Sequence, residues 1–346
     1  MPDTMADGIQ VIDTDKLCEY LQSTLHGFKG PVTAEKFTGG QSNPTFKLTA
    51  ASGTYVLRKQ PPGELLKSAH AVDREFKVMS ALADTDVPVP VMHHLCEDRS
   101  IIGSLFFIMQ FIPGRTHWDC ALPDSSKDER RQTYDEINRV LAALHDVNIE
   151  SVGLSSYGRP GNYYARQLNR WTEQYRATVF EPVADMDYLI DWLQEHLPPD
   201  DGRVSLVHGD FRLDNLRYHQ TDAKVCAVLD WELSTLGHPF TDLANHCMQQ
   251  RLPVTDGHLS GLAGINLTEL GIPTEEEFIQ RYCERRGIEK IDHWNFYLSF
   301  SFFRLAAILQ GVARRGRDGN ASSELALSLH ERVAPLAAMA RSVATR

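Results

Sequence analysis

Val207-His208-Gly209-Asp210-Phe211-Arg212-Leu213-Asp214-Asn215 is answered further on by Ala227-Val228-Leu229-Asp230-Trp231-Glu232. An apolar segment delivers His-Gly-Asp, an Asn follows the Asp at i+5, and a second apolar segment ends in another Asp. Leu216-Arg217-Tyr218-His219 and Val225-Cys226-Ala227-Val228-Leu229 read as the two arms of a hairpin that folds Asp230 back beside Asn215. A carboxylate on a turn after a strand can orient an attacking hydroxyl and accept its proton. An amide and a second carboxylate offer hard oxygen donors, the kind that Mg²⁺ takes in ones and twos from protein. Taken singly, each Asp or Asn would be an ordinary turn residue. Their joint order is what phosphoryl transfer requires.

Outward from this stretch the chain changes character. The first ~110 residues alternate short strands with one helix, a pattern suited to a small β-rich unit. Phe46-Lys47-Leu48 and Tyr55-Val56-Leu57-Arg58 flank a turn at Ala51-Ser52-Gly53 and predict a hairpin. Val72, Phe76, Met79 and Ala83 predict an amphipathic helix over 68–83. Val87-Pro88-Val89-Pro90 is extended, and 101–112 reads as a second apolar strand region ending at Pro113-Gly114. Beyond that break the pattern is mainly helical. Tyr134, Ile137, Val140, Leu141 and Leu144 make one stripe, and 163–179 and 187–197 are further helices. Thr274 with Glu277 is a capping box opening a helix that stops near Gly287. A long apolar helix follows over 292–311, and a last one from Ser322. The expected division is residues 1–112 as a nucleotide-binding lobe and 113–346 as a catalytic and substrate lobe.

Protein kinases meet the same chemical need with H-R-D-x-x-x-x-N and D-F-G; here Gly209 stands for Arg and the second motif reads Asp-Trp-Glu. With these departures the chain resembles the aminoglycoside phosphotransferase family, to which choline kinases also belong. It is most similar to the phosphotransferase domain linked to acyl-CoA dehydrogenases. The resemblance is carried further by Gly39-Gly40-Gln41-Ser42-Asn43, Arg58-Lys59-Gln60-Pro61-Pro62-Gly63, Val72-Asp73-Arg74-Glu75, Leu236-Gly237-His238-Pro239 and Phe303-Arg304-Leu305-Ala306. It implies an α+β, protein-kinase-like two-lobe fold, with a small antiparallel β lobe and a larger helical one. The cofactors it implies are ATP and Mg²⁺.

Within that frame Asp210 is the expected general base, and Asn215 and Asp230 are the expected metal ligands. Arg212 either neutralises the transferred phosphoryl group or pairs with Asp214. Arg58 matches the strand lysine of kinases and should grip phosphates while paired with Glu75. Strand alternation sends Arg58 and Lys59 to opposite faces, so only one can serve. Gly39, Gly40, Ser42 and Asn43 resemble the family's phosphate-covering loop. Gln110, Phe111 and Ile112 are the expected adenine-reading hinge. Glu232 is either a water-bridged metal neighbour or structural. Asp242 is expected to hold the catalytic loop, and His145, His208 and His238 to be structural. No Walker-type G-x-x-x-x-G-K-[ST] occurs.

A net charge of −11 argues against bulk nucleic-acid binding. The six cysteines form no C-x-x-C pair, which suits a reducing cytoplasm. The polar N-terminus is unlike a signal peptide, and the apolar stretches near 105–112 and 302–309 are too short to span a bilayer. A cytoplasmic location is therefore expected.

The acceptor is the open question. Arg304 in an apolar helix, with Arg314 and Arg315 at its end, suits the phosphates of an acyl-CoA; Trp118, Asp119, Asp124 and Asp128 would suit a cationic amino alcohol or aminoglycoside. The resemblance favours the hydroxyl of a hydroxyacyl-CoA, with a functional link to an acyl-CoA dehydrogenase. An aminoglycoside or choline-type kinase, or a non-catalytic nucleotide-binding module, is the alternative.

Overall fold

A computed structural model describes residues 12–37, 43–61, 71–255, 259–318 and 324–346. The chain divides into two compact units. One comprises Met1–Asp84, Pro88–Pro113 and Asp230–Glu232; the other comprises Thr85–Val87, Gly114–Leu229 and Leu233–Arg346.

The first unit opens with α1 (Thr14–Thr24), capped by the Asp13 carboxylate, which accepts from the Lys16 N–H. Its sheet contains β1 (Val32–Lys36), β2 (Thr45–Ala50), β3 (Gly53–Lys59), β4 (Met92–Cys96) and β5 (Phe106–Gln110), with α2 (Val72–Ala81) inserted after β3. The order is β1-β2-β3-β5-β4, every pair antiparallel. The expected hairpin is β2–β3, with Phe46 opposite Leu57 and Thr45 opposite Arg58. Phe46, Leu48, Leu57, Phe106 and Ile108 face one side and pack on Leu17 and Leu21 of α1. Residues alternating with them face the other way, which puts Arg58 on the side opposite Leu57. The strand expected over 101–112 begins only at Phe106, because 99–104 turn about Gly103, which takes a positive φ. α1 and β4 are elements that the sequence pattern does not signal.

In the second unit, α3 (Lys127–Asp146) buries Tyr134, Ile137, Val140, Leu141 and Leu144, the stripe read from sequence. It is followed by α4 (Tyr163–Thr178) and α5 (Ala184–Glu195). Four short strands carry the chemistry-bearing turns: β6 (Ser205–Val207) pairs with β9 (Thr235–Gly237), and β7 (Leu216–Tyr218) pairs with β8 (Val225–Val228). Then come α6 (Phe240–Arg251), α7 (Leu267–Leu270), α8 (Glu275–Arg286), α9 (Trp294–Arg317) and α10 (Val333–Ala344). The capping box at Thr274 and Glu277 is present, and α8 ends at Gly287 with φ +61.

α9 runs six residues past the expected stop at Gly311. That glycine lies against the Gln174 amide of α4, where a Cβ would come within 3.0 Å. The last turn carries Arg314, Arg315 and Arg317, which complement the helix dipole. By length and composition α9 could cross a membrane, contrary to expectation, but 78% of its apolar window is buried inside the protein. It is the core helix that α4, α6 and α10 pack around.

Candidate active site

In the first unit Arg58 is the hub. Its Nε lies 3.0 Å from a Glu75 carboxylate oxygen and its Nη2 2.6 Å from Asp230 Oδ1. Glu75 projects from α2, is 1% exposed, and also accepts from the Asn43 amide at 2.9 Å. Burial alone would lower the Arg58 pKa, but Glu75, Asp230 and Glu232 reverse that and hold it well above its ordinary value. Burial pushes Glu75 the other way, up to about 7, against the pull of Arg58. One guanidinium thus stands among three carboxyl groups, an excess of negative charge that suits a cation. Asp230 takes a left-handed backbone, φ +65, which Asp tolerates better than most residues. The fully buried indole of Trp231 fixes the turn after it.

Lys59 is 2% exposed on the face opposite Arg58, where burial lowers its pKa. The exposed basic pair that a strand end could have carried is therefore absent. The Asn43 amide donates to Glu75 and so buttresses the ion pair. The expected phosphate-loop residues Gly39, Gly40 and Ser42 lie outside the described residues. At the expected hinge, the Gln110 backbone N–H bonds to the Val91 carbonyl at 2.8 Å. The Lys47 ammonium sits 5.4 Å over the Phe111 ring, and Ile112 follows as partly buried backbone.

In the second unit β6 ends at Val207 and the chain turns through Gly209 at φ +84. A Cβ there would meet the Leu233 carbonyl oxygen at 2.6 Å, so only glycine fits. Asp242, fully buried on α6, accepts from the His208 N–H at 2.6 Å and the Gly209 N–H at 2.8 Å. Burial would raise its pKa, but His145 and the His208 backbone outweigh this and hold it low. His145, kept neutral by burial, lies 3.4 Å from Asp242 through Nε2 and 2.7 Å from the Tyr282 hydroxyl through Nδ1. His208 Nε2 donates to the Leu229 carbonyl at 2.8 Å, and Nδ1 accepts from the Asp210 N–H at 3.3 Å. The three histidines were expected to be structural; His145 and His208 are the ones that lock this loop, while His238 lies 3.3 Å from Asp201.

The loop presents Asp210 with its carboxylate about a third exposed. Asn215 Nδ2 lies 2.9 Å from the Asp210 carbonyl and 3.1 Å from its Oδ2. Pointing Nδ2 at Asp210 turns Asn215 Oδ1 away as a neutral oxygen donor. Arg212 makes the expected pair with Asp214 and also approaches Asp210. Its Nη2 pairs with Asp214 at 2.6 Å, and its Nε stands 3.6 Å from Asp210. Leu229, immediately before Asp230, donates to the Asn215 carbonyl at 2.9 Å, which ties the end of β8 to the Asn215 turn.

The late arginines do not form one cluster. Arg304 Nη2 donates to the Gly209 carbonyl at 2.6 Å. Arg314 and Arg315 lie 10 and 11 residues further along α9, on the order of 15 Å at a helical rise. Arg314 is paired with Asp318 at 2.9 Å, and Arg315 is exposed. The Arg304–Gly209 bond and the Trp171 ring beside Arg304 were not read from sequence, since nothing local signals a contact across 95 residues.

The donor types fit Mg²⁺: an amide oxygen and a carboxylate, with no histidine or thiol. Among the described residues no group of three His, Cys, Asp or Glu forms a ready cage.

A model of the phosphotransferase enzyme family matches residues 33–289. Acyl-CoA dehydrogenase family member 10 of Mus musculus is 47% identical over 336 residues, covering 97% of this chain but 31% of the mouse protein. The chain thus spans about a third of the length of that relative. The crystal structure of a provisionally assigned aminoglycoside phosphotransferase from Ralstonia eutropha JMP134 is 48% identical, with a TM-score of 0.88 over 97% of this chain and 99% of that one. A thermostable mutant of aminoglycoside phosphotransferase APH(4)-Ia, in ternary complex with ADP and hygromycin B, shares the fold at 13% identity. Its TM-score is 0.63, over 96% of this chain and 98% of that one.

Proposed function

The chain belongs to the phosphotransferase enzyme family, and from that premise we propose that it is an ATP- and Mg²⁺-dependent kinase for the hydroxyl of a small molecule, a hydroxyacyl-CoA. The observation that carries the kinase reading is the Asp210 carboxylate, hydrogen-bonded by Asn215 at 3.1 Å, on a loop whose backbone is tied to Asp242. Asp210 orients the acceptor hydroxyl and takes its proton as the oxygen–phosphorus bond forms; the γ-phosphate leaves ADP behind. A loose transition state needs no strong base, because the proton leaves late. Arg212, 3.6 Å from Asp210, offsets charge on the transferring group. Asn215 and Asp230 would hold Mg²⁺, which when bound neutralises phosphate charge. Arg58, held by Glu75, reaches the nucleotide phosphates, with Gly39, Gly40, Ser42 and Asn43 and residues 110–112 as its proposed partners in the nucleotide site.

The acyl-CoA part of the reading rests on a relative that bears an acyl-CoA dehydrogenase name and on Arg314 and Arg315 at the end of α9 as contacts to the distal anionic part. A functional link to a dehydrogenase and a cytoplasmic location belong to the same reading. The test is ATP turnover by the purified chain across hydroxyacyl-CoA, choline and aminoglycoside panels. Phosphorylation of a hydroxyacyl-CoA is expected; turnover of choline or an aminoglycoside alone would transfer the enzyme to that class. Absence of turnover together with absence of Mg-ATP binding would overturn the kinase reading.

A further inference from the structure

Arg304 is the only charged residue between Trp294 and Ala313. A half-buried guanidinium in an apolar helix is costly unless something fixes its charge. Its hydrogen-bond and ring partners among the described residues are the Gly209 carbonyl, 2.6 Å from Nη2, and the Trp171 ring, whose centroid lies 5.6 Å from the guanidinium carbon. Neither is an acid. Trp171 is itself 6% exposed and pinned by its indole N–H on Gln167 at 3.1 Å. The guanidinium is therefore aimed from α9, with α4 as its backing plate, at one backbone oxygen.

That oxygen belongs to the peptide linking Gly209 to Asp210. The other polar backbone atoms around it are also engaged: the Gly209 N–H by Asp242 and the Asp210 N–H by His208 Nδ1. Glycine at φ +84 has the freest backbone in the loop, so this peptide plane is the one most in need of an outside restraint. We infer that Arg304 is a positioning residue of the transfer step, fixing the Gly209–Asp210 peptide and through it the aim of the Asp210 carboxylate. This rests on Asp210 as the base and replaces a direct phosphate-binding role for Arg304. It also couples α9 and α4 to the catalytic loop.

The test uses the full chain with Arg304→Ala, Arg304→Lys and Trp171→Leu, each checked for folding by its thermal transition. Hydrogen exchange is followed in the peptide covering 206–213, and kcat and KM are measured for ATP and acceptor. Arg304→Ala should speed exchange in that peptide but not along α9. It should lower kcat on the order of tenfold to a hundredfold, as a small misplacement of a catalytic group does, with both KM values within about twofold. Lysine offers a single charged donor to the same carbonyl and should restore part of kcat; Trp171→Leu should give an intermediate loss. If the alanine variant does not fold, the lysine and leucine variants carry the test. Unchanged exchange in folded variants overturns the inference, as does a raised acceptor KM at unchanged kcat, which would make Arg304 a substrate contact. Asp210→Asn is run alongside: full activity there would sink the base assignment, while the exchange result still decides the role of Arg304.

Discussion

Asn215 Nδ2 lies 3.1 Å from Asp210 Oδ2. Its nitrogen orients the proposed base, and its oxygen faces away, where the proposed metal would take it. The i+5 spacing matters because the short 3₁₀ turn at Leu213–Asn215 brings the amide back over Asp210. Asp210→Asn should abolish transfer while leaving Mg-ATP binding close to wild type, since the base addresses the acceptor. A well-folded variant keeping more than about a tenth of wild-type kcat would remove Asp210 from that role.

Asp230 shares its carboxylate with Arg58 at 2.6 Å. Asp230→Ala should raise the Mg²⁺ concentration needed for half-maximal activity and weaken ATP binding. Calorimetry returning wild-type Mg-ATP affinity would exclude it as a ligand. Arg58→Met probes the same group from the other side. It leaves Glu75 buried without its cation, a loss of about 3–5 kcal/mol for a buried pair broken on one side, read by denaturant unfolding. Because Glu75 then has still more reason to bind a proton, the variant should recover stability as pH falls.

Gly209→Ala should cost both activity and stability. The left-handed φ of +84 strains any L-residue, and the added Cβ has the Leu233 carbonyl in its way. More than about 1 kcal/mol is expected; a variant matching wild type in both would show the loop to be more yielding than its geometry indicates.

His246 gives a pH prediction with a definite sign. It is fully buried on α6, stacked on Phe278 with ring centroids 4.4 Å apart, and neither ring nitrogen has a hydrogen-bond partner. Burial lowers its pKa from 6.5 to about 4. The unfolded chain therefore binds a proton between pH 6.5 and 4 that the folded chain refuses. Stability from this group is intact above pH 6.5 and falls as pH drops to about 4, by about 3 kcal/mol in all. His246→Phe keeps an aromatic ring and cannot titrate. The difference in unfolding free energy between wild type and variant should narrow or change in the variant's favour across that window; a pH-independent difference would contradict the assignment.

Much of this site is legible in the sequence because its signals are local. The Asp210–Asn215 spacing, the β7–β8 hairpin and the capping box at Thr274 each lie within a few residues and depend on turn or cap chemistry. Arg58 and Lys59 separate by the two-residue period of a strand, which gives their faces but does not reveal that Lys59 is buried. α1 escaped because its apolar residues Leu17 and Leu21 are few, and only Asp13 marks its start. β4 escaped because His93 and His94 are poor strand signals. The inward turn of Asn43 onto Glu75, the Arg314–Asp318 pair and the Arg304–Gly209 bond are choices among partners that composition leaves equal. Packing makes those choices.

The substrate prediction depends on what the end of α9 does. Arg314 is tied to Asp318, so its charge is already partly answered, whereas Arg315 is exposed and lies on the same helical face as Arg304, 11 residues or three turns away. An acidic protein, net −11, must place positive charge locally to bind an anionic thioester, and the exposed Arg315 at the end of α9 is the proposed contact. Arg315→Ala should raise KM for a hydroxyacyl-CoA and leave KM for ATP unchanged. Arg314→Ala should do less, because it also frees Asp318. Exposed charge contacts are weak and screened by salt, so the expected change is about several-fold and should shrink at high ionic strength. A shortened acceptor lacking the nucleotide part of CoA should show no dependence on Arg315 at all. Equal KM values for wild type and Arg315→Ala at low salt would remove α9's end from the acceptor site, and robust phosphorylation of choline or an aminoglycoside with none of any hydroxyacyl-CoA would remove the acyl-CoA reading altogether.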